Sequence, residues 1–198
     1  MSEHRLFLSA DERAAIRAGR KTQFRRAVKL KPWQGIELRD DGQLWPWMDD
    51  GERGLDYWLP CPFGKPGDRL WVPESWAYHA QAMGAASEAD GPFVYRADGD
   101  GQAKLCDRWR APVSMPRFAA RIVLEVISVR VERLANITIS DAIREGYDGS
   151  LSTPIDPSIE WVAQRWESIH GAGSWNKNPW VWVVSFKPIS SGDQRNDS

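Results

Sequence analysis

Residues Gly19 to Arg26 read GRKTQFRR, in which Arg20, Lys21, Arg25 and Arg26 flank a hydroxyl, an amide and an aromatic ring. Such a set can bind phosphate, prepare a nucleophile or decorate a surface, and each use makes a different demand. For Lys21 to take a proton from a hydroxyl near neutral pH, burial or neighbouring cations must lower its pKa by several units. Arg20, Arg25 and Arg26 are close enough in sequence to push in that direction. Phosphate binding asks less. Arg20, Arg25, Arg26 and Lys29 can hold a nucleic-acid backbone without reading its bases, while Phe24 or a nearby tryptophan stacks a base. The alternative for Phe24 is a place in the core. For Lys21 it is the negative end of a helix, where a cation is stabilised without any ligand.

Elsewhere the chemistry is sparser. Glu74, in WVPESW, either pairs with Arg69 or accepts a hydrogen bond from a base amino group. His79 and His170 have no partner at triad spacing, and His170 falls where it would cap a helix end. Cys61 and Cys106 belong to no CxxC pair and have no histidine at ligand spacing, so neither a metal nor a cofactor is expected. No GxGxxG or phosphate loop occurs. The N-terminus is polar from its second residue, and no apolar run approaches the ~18 residues of a membrane span. The expectation is a cytoplasmic chain with reduced thiols and no membrane partner.

The charge balance excludes a global nucleic-acid footprint: 26 basic against 27 acidic residues leave -1, so any such surface is local. Arg17 to Lys31 holds seven basic residues and no acid, whereas Glu37 to Asp56 holds seven acids against Arg39 and Arg53. A fold could set these blocks against each other. The chain also has 12 tryptophans in 198 residues, more than one core of this size normally absorbs. Some should plug the core, and others offer faces to bases or to a protein partner.

These groups need elements to hold them. Ser9 and Glu12 have capping-box spacing ahead of Ala14, Ile16 and Ala18, which predicts a short helix ended by a left-handed Gly19. KTQFRRAVKL then alternates as a strand, with Thr22, Phe24 and Arg26 on one face and Gln23 and Arg25 on the other. GIELRDDGQLWPWM predicts a hairpin turning at Asp41 and Gly42, and Arg69 to Val72 a short strand. Residues 77–108, rich in glycine, alanine and aspartate around a short strand PFVYRA, read as an insertion. RFAARIVLEVISVRVERL is largely apolar on both faces and predicts a central strand. Ser140 should cap a helix running to Gly146. Asp156 should cap another, with Pro157 in its first turn and Ile159, Val162 and Trp166 inward. NPWVWVVSFKPI is a last strand, and residues 189–198 are expected to be disordered. The order predicts a single α+β domain over residues 1–188, a small mixed, mostly antiparallel β-barrel with flanking helices.

Four segments in this order, GRKTQFRR after a short helix, PFGKPGDRLWVPESW, DAIREGY after a long strand, and NPWVWVVSFK, resemble the ASCH domain and its phage and prophage proteins. The resemblance implies a barrel similar to the PUA domain, with a cleft suited to RNA or a modified base. The family's glycine, lysine and arginine signature falls on Gly19, Lys21 and Arg26. One branch contains small amidohydrolases that act on N4-acetylcytidine. By resemblance their lysine falls on Lys21, their glutamate on Glu145 and their threonine nucleophile on position 24, where this chain has Phe24. Phenylalanine cannot attack a carbonyl, and Thr22 lies about 7 Å away along a strand, too far for the same reactive geometry.

Three readings follow. The first is a module that binds RNA, single-stranded nucleic acid or a modified nucleotide in a cleft lined by Lys21, Arg26, Glu145 and aromatic groups. The second is a metal-independent hydrolase of acylated cytidine or RNA, with Lys21, Glu145 and Thr22 in the proton chemistry. The third is an aromatic-rich protein-interaction module.

Overall fold

The computed structural model describes residues 1–50, 55–79, 93–106, 108–149 and 157–189. Its organising strand is β9 (Ile122–Arg133), whose apolar residues other than the exposed Ile127 are buried, with Val123 on one face and Ile122, Leu124 and Val126 on the other. β6 (Arg69–Val72) pairs antiparallel with the first part of β9, and β10 (Trp180–Pro188) runs antiparallel along its length. β1 (Glu3–Arg5) lies parallel to β6 at one edge and β2 (Gln23–Ala27) antiparallel to β10 at the other, giving the order β1-β6-β9-β10-β2. A second sheet, β3 (Gln34–Leu38), β4 (Leu44–Asp50) and β5 (Leu55–Trp58), folds over the first. Trp45 of β4 meets Trp182 of β10 edge-on, with ring centroids 5.0 Å apart. β7 (Trp76–Tyr78) and β8 (Phe93–Tyr95) form a small ladder whose Trp76 packs with Trp71, Met115 and Val123.

This is the expected mixed α+β, mostly antiparallel architecture, but among the described residues no ladder joins β1 to β2, so the barrel is not closed by hydrogen bonds. The edge strands are three and five residues long. Ile36 and Trp45 of the second sheet instead pack against the core that the first sheet leaves open. β1 and β5 were not legible in the sequence, because three or four residues show no alternation.

The helices follow local chemistry. α1 (Ala10–Arg17) begins at the Ser9–Glu12 capping box and is followed by Gly19 at φ +71°, the left-handed conformation glycine adopts without a Cβ clash. α2 (Ile139–Arg144) is capped by Thr138, not Ser140. Thr138 stands three residues before Asp141, so its hydroxyl and the Asp141 carboxylate each satisfy one of the other's orphan amides. α3 (Ser158–His170) has Pro157 in its N-cap position and turns Val162 and Trp166 inward, while Asp156 lies outside the described residues. So do residues 80–92 of the expected insertion and residues 190–198 of the tail.

The basic block finds its counter-ions elsewhere than the acidic block. Arg17 pairs with Asp98, Arg20 with Asp148 and Arg26 with Glu12, and among the described residues no ion pair joins Arg17–Lys31 to Glu37–Asp56. No helix is long and apolar enough to cross a membrane among the described residues.

Candidate functional site

Strand periodicity divides the GRKTQFRR segment into two faces with different fates. On one face Phe24, opposite Val184 in the register, is fully buried. Its ring lies 5.2 Å from Phe63 and 6.0 Å from Phe186, so it offers no surface to a base, contrary to the stacking expectation. Arg26 shares that face but sits at the rim, with its guanidinium 5.3 Å above the Phe24 ring.

Lys21, Gln23 and Arg25 share the other face, which α2 covers. Lys21 Nζ donates to the backbone oxygen of Glu145 at 2.9 Å and to Glu145 Oε2 at 3.0 Å. Arg25 donates to Glu145 Oε1 at 2.9 Å and to Glu132 Oε1 at 2.7 Å, and lies 3.1 Å from Asp141 Oδ2. Gln23 donates to Asp141, and Arg130 ties Asp141 to Glu132. Lys21 is 1 % and Arg25 4 % exposed. Arg25 therefore cannot reach a phosphate, and Lys21 lines none of the cavities described below. Both of these bonds turn the Lys21 amino group toward Glu145 and away from solvent.

Burial pushes the Asp141 carboxyl upward, but hydrogen bonds from Thr138 and Gln23 and the Arg25 charge outweigh it and hold the group well below the usual carboxylate range. Burial of Glu12 is likewise outweighed by Arg26 and Lys21. A folded-state pKa below the unfolded one contributes stability that is complete above the unfolded value, about 4, and is lost as pH falls through the folded value. The melting temperature should therefore change little from pH 7 to about 5 and fall below about 4. Thermal melts across this range should show a shallower acid limb in Asp141→Asn; an unchanged limb would show that Asp141 is not a source of it.

The other sequence-selected residues separate. Thr22 is held by its backbone, donating its amide to Arg144 and accepting from Phe186. Arg20 is exposed, beside Asp148. Glu74 is buried and held by Arg121, not Arg69, through bonds of 2.8 and 3.0 Å, and Arg121 also holds Asp98. Glu74 therefore does not face a base.

The single cleft expected from sequence is replaced by separate cavities. Arg20 and Glu145 line one of about 290 Å³ with Glu12, Asp148, Trp161 and Arg165, a wall of mixed charge. Arg26 and Lys29 line another of about 570 Å³, whose apolar walls include Leu30, Pro46, Leu59, Pro62, Phe63 and Trp182. His170 lines it beside these two cations, and among the described residues no carboxylate lines this groove. Burial and the charge of Arg26 hold His170 below the ordinary imidazole value, so it is largely neutral at pH 7. Sequence reasoning missed Phe63 and Trp182, and gave His170 only a helix-capping role, because they lie far along the chain from the basic segment. Only the strand pairing, which sets Trp182 opposite Arg26, brings one of them to the segment. Among the described residues no group of three His, Cys, Asp or Glu could hold a metal ion.

No protein-family model matches the chain, and no curated protein does. Solved structures do. An ASCH domain from Lactobacillus crispatus is 12% identical with a TM-score of 0.42, covering 94% of this chain and 79% of its own. A protein from Enterococcus faecalis is 12% identical with a TM-score of 0.42, covering 96% and 80%. A hypothetical protein, PH0355, is 12% identical with a TM-score of 0.40, covering 94% and 99%. The structures similar to this chain thus include an ASCH domain, the family that its sequence segments resemble.

Proposed function

We propose that this chain binds single-stranded nucleic acid, RNA or a strand carrying a modified nucleotide, in the groove beside β2. The observation that carries this reading is the lining itself, with the cations Arg26 and Lys29 set beside apolar and aromatic walls and no carboxylate among the described lining residues. Cations at a rim engage phosphates, and an apolar wall receives a base. Further along the same segment Lys31 lies 5.3 Å above one face of the ring of Trp33, a residue that is 60 % exposed. The hydrolase reading is weaker, because Lys21 is buried and doubly held while Phe24 fills the core.

The test is fluorescence anisotropy with a labelled single strand over a range of salt. Log affinity should fall linearly with log salt, by about 0.7 for each phosphate engaged. Lys29→Ala should reduce that slope by close to one phosphate, and Trp33→Ala should weaken binding by ~1 to 3 kcal/mol without changing the slope. Affinity indifferent to salt would overturn the proposal.

A further inference from the structure

We infer that the ligand is a strand of several nucleotides rather than a free nucleotide, laid across the Leu59–Phe63 segment with one base in each of two adjoining cavities. The inference rests on the nucleic-acid reading above and adds a second subsite to it. On the far side of Pro60 lies a cavity of about 590 Å³, and Pro60 also lines the groove of Arg26 and Lys29. Trp45 lines the second cavity and Trp182 the first, so the edge-on contact of these rings, 5.0 Å between centroids, forms part of the wall between them. Each cavity falls in the ~300 to 1,000 Å³ range of small-ligand pockets. A single planar ligand cannot pass through the wall, whereas a flexible strand can cross over its crest.

The second cavity, like the first, sets cations beside aromatic rings. Arg39 lies 5.0 Å from the Trp45 ring and 6.0 Å from Trp58, and exposed Lys65 belongs to the same lining. The lining includes the acids Asp41 and Asp68. Asp41 is 3.4 Å from Arg39, and Asp68 accepts from the amides of Ser2 and Lys65, which leaves the Lys65 side chain for a ligand. His4, on the same wall, has its Nε2 buried 3.8 Å from Asp68 and so helps to fix that carboxylate.

The crest is built to stay in place. Trp45 Nε1 donates to the Leu59 carbonyl at 2.8 Å, Pro60 and Pro62 restrict the backbone, and Gly64 at φ +87° approaches Asp68 so closely that a Cβ would lie 2.9 Å from it. Preorganisation of this kind lowers the ordering cost of binding. Occupying one cavity then raises the effective concentration of the next base at the other.

The test measures the affinity of one 5′-mononucleotide and of ribo- and deoxyribo-oligomers of two, four and eight nucleotides, at one salt concentration. Wild type, Lys29→Ala, Arg39→Ala and Lys65→Ala are compared, each checked for an unchanged melting temperature. The expected result is at least about a tenfold gain from mononucleotide to tetramer, as a second linked site provides. Lys65→Ala and Arg39→Ala should each cost the tetramer several-fold, as Lys29→Ala does, because each weakens one of the two linked subsites. Lys65 is exposed, so its variant remains informative if Arg39→Ala disturbs the hairpin. A mononucleotide that binds as tightly as the tetramer, or a tetramer indifferent to Lys65 and Arg39 but sensitive to Lys29, overturns the second subsite and leaves the first reading standing. Binding of no species by the wild type overturns both.

Discussion

Lys21→Ala should lower the melting temperature by about 10 °C while leaving oligonucleotide affinity within about twofold, provided it is measured well below the melt. Breaking a buried pair from one side costs ~3 to 5 kcal/mol, because the remaining charge keeps its burial and loses its partner. In a chain of this length each kcal/mol moves the midpoint by about 2 to 4 °C. Lys21 leaves behind Glu145, and also Glu12 at 3.8 Å, both buried. The double variant Lys21→Met, Glu145→Leu should be less destabilised than the sum of its parts, since the two charges leave together and Arg25 retains Glu132 and Asp141. Calorimetry on the four species measures that coupling. A midpoint that hardly moves, together with lost binding or lost turnover, would return Lys21 to the functional site.

Phe24→Thr should also be strongly destabilising and should not create an amidohydrolase. The ring is fully buried among Phe63 and Phe186, and truncating a core phenylalanine costs ~3 to 5 kcal/mol. The new hydroxyl would add the cost of a buried polar group wherever it lacks a partner. It would also lie on the Phe63 and Phe186 side of β2, whereas Lys21 is held at Glu145. Thermal melts with a chromatographic assay of N4-acetylcytidine decide the matter. A variant that melts near wild type and hydrolyses the substrate would show that the core tolerates a nucleophile there and that Lys21 can serve it.

Both predictions turn on which side of β2 is inside. The period-two pattern showed in the sequence that Phe24 and Arg26 share one face and Gln23 and Arg25 the other. It left open which face meets the core and which meets carboxylates, because those partners come from far along the chain: Glu145 is 124 residues from Lys21 and Asp141 118 from Gln23. The same distinction explains Glu74, for which Arg69 was the near candidate and Arg121 the partner.

What the sequence determined by itself is local. The Ser9 capping box, the left-handed Gly19, the hairpin turn with Gly42 at φ +78°, and the central apolar strand each depend on residues a few positions apart. Their preferred conformations follow from nearby sterics and hydrogen bonds. The tertiary structure alone decided that the basic segment divides into a buried ion network and a cationic rim, and that the groove draws its walls from β2, β4, the Leu59–Phe63 segment, α3 and β10. A cavity is the space between elements. Its shape and charge follow from strand pairing and packing, which join residues that no local pattern connects.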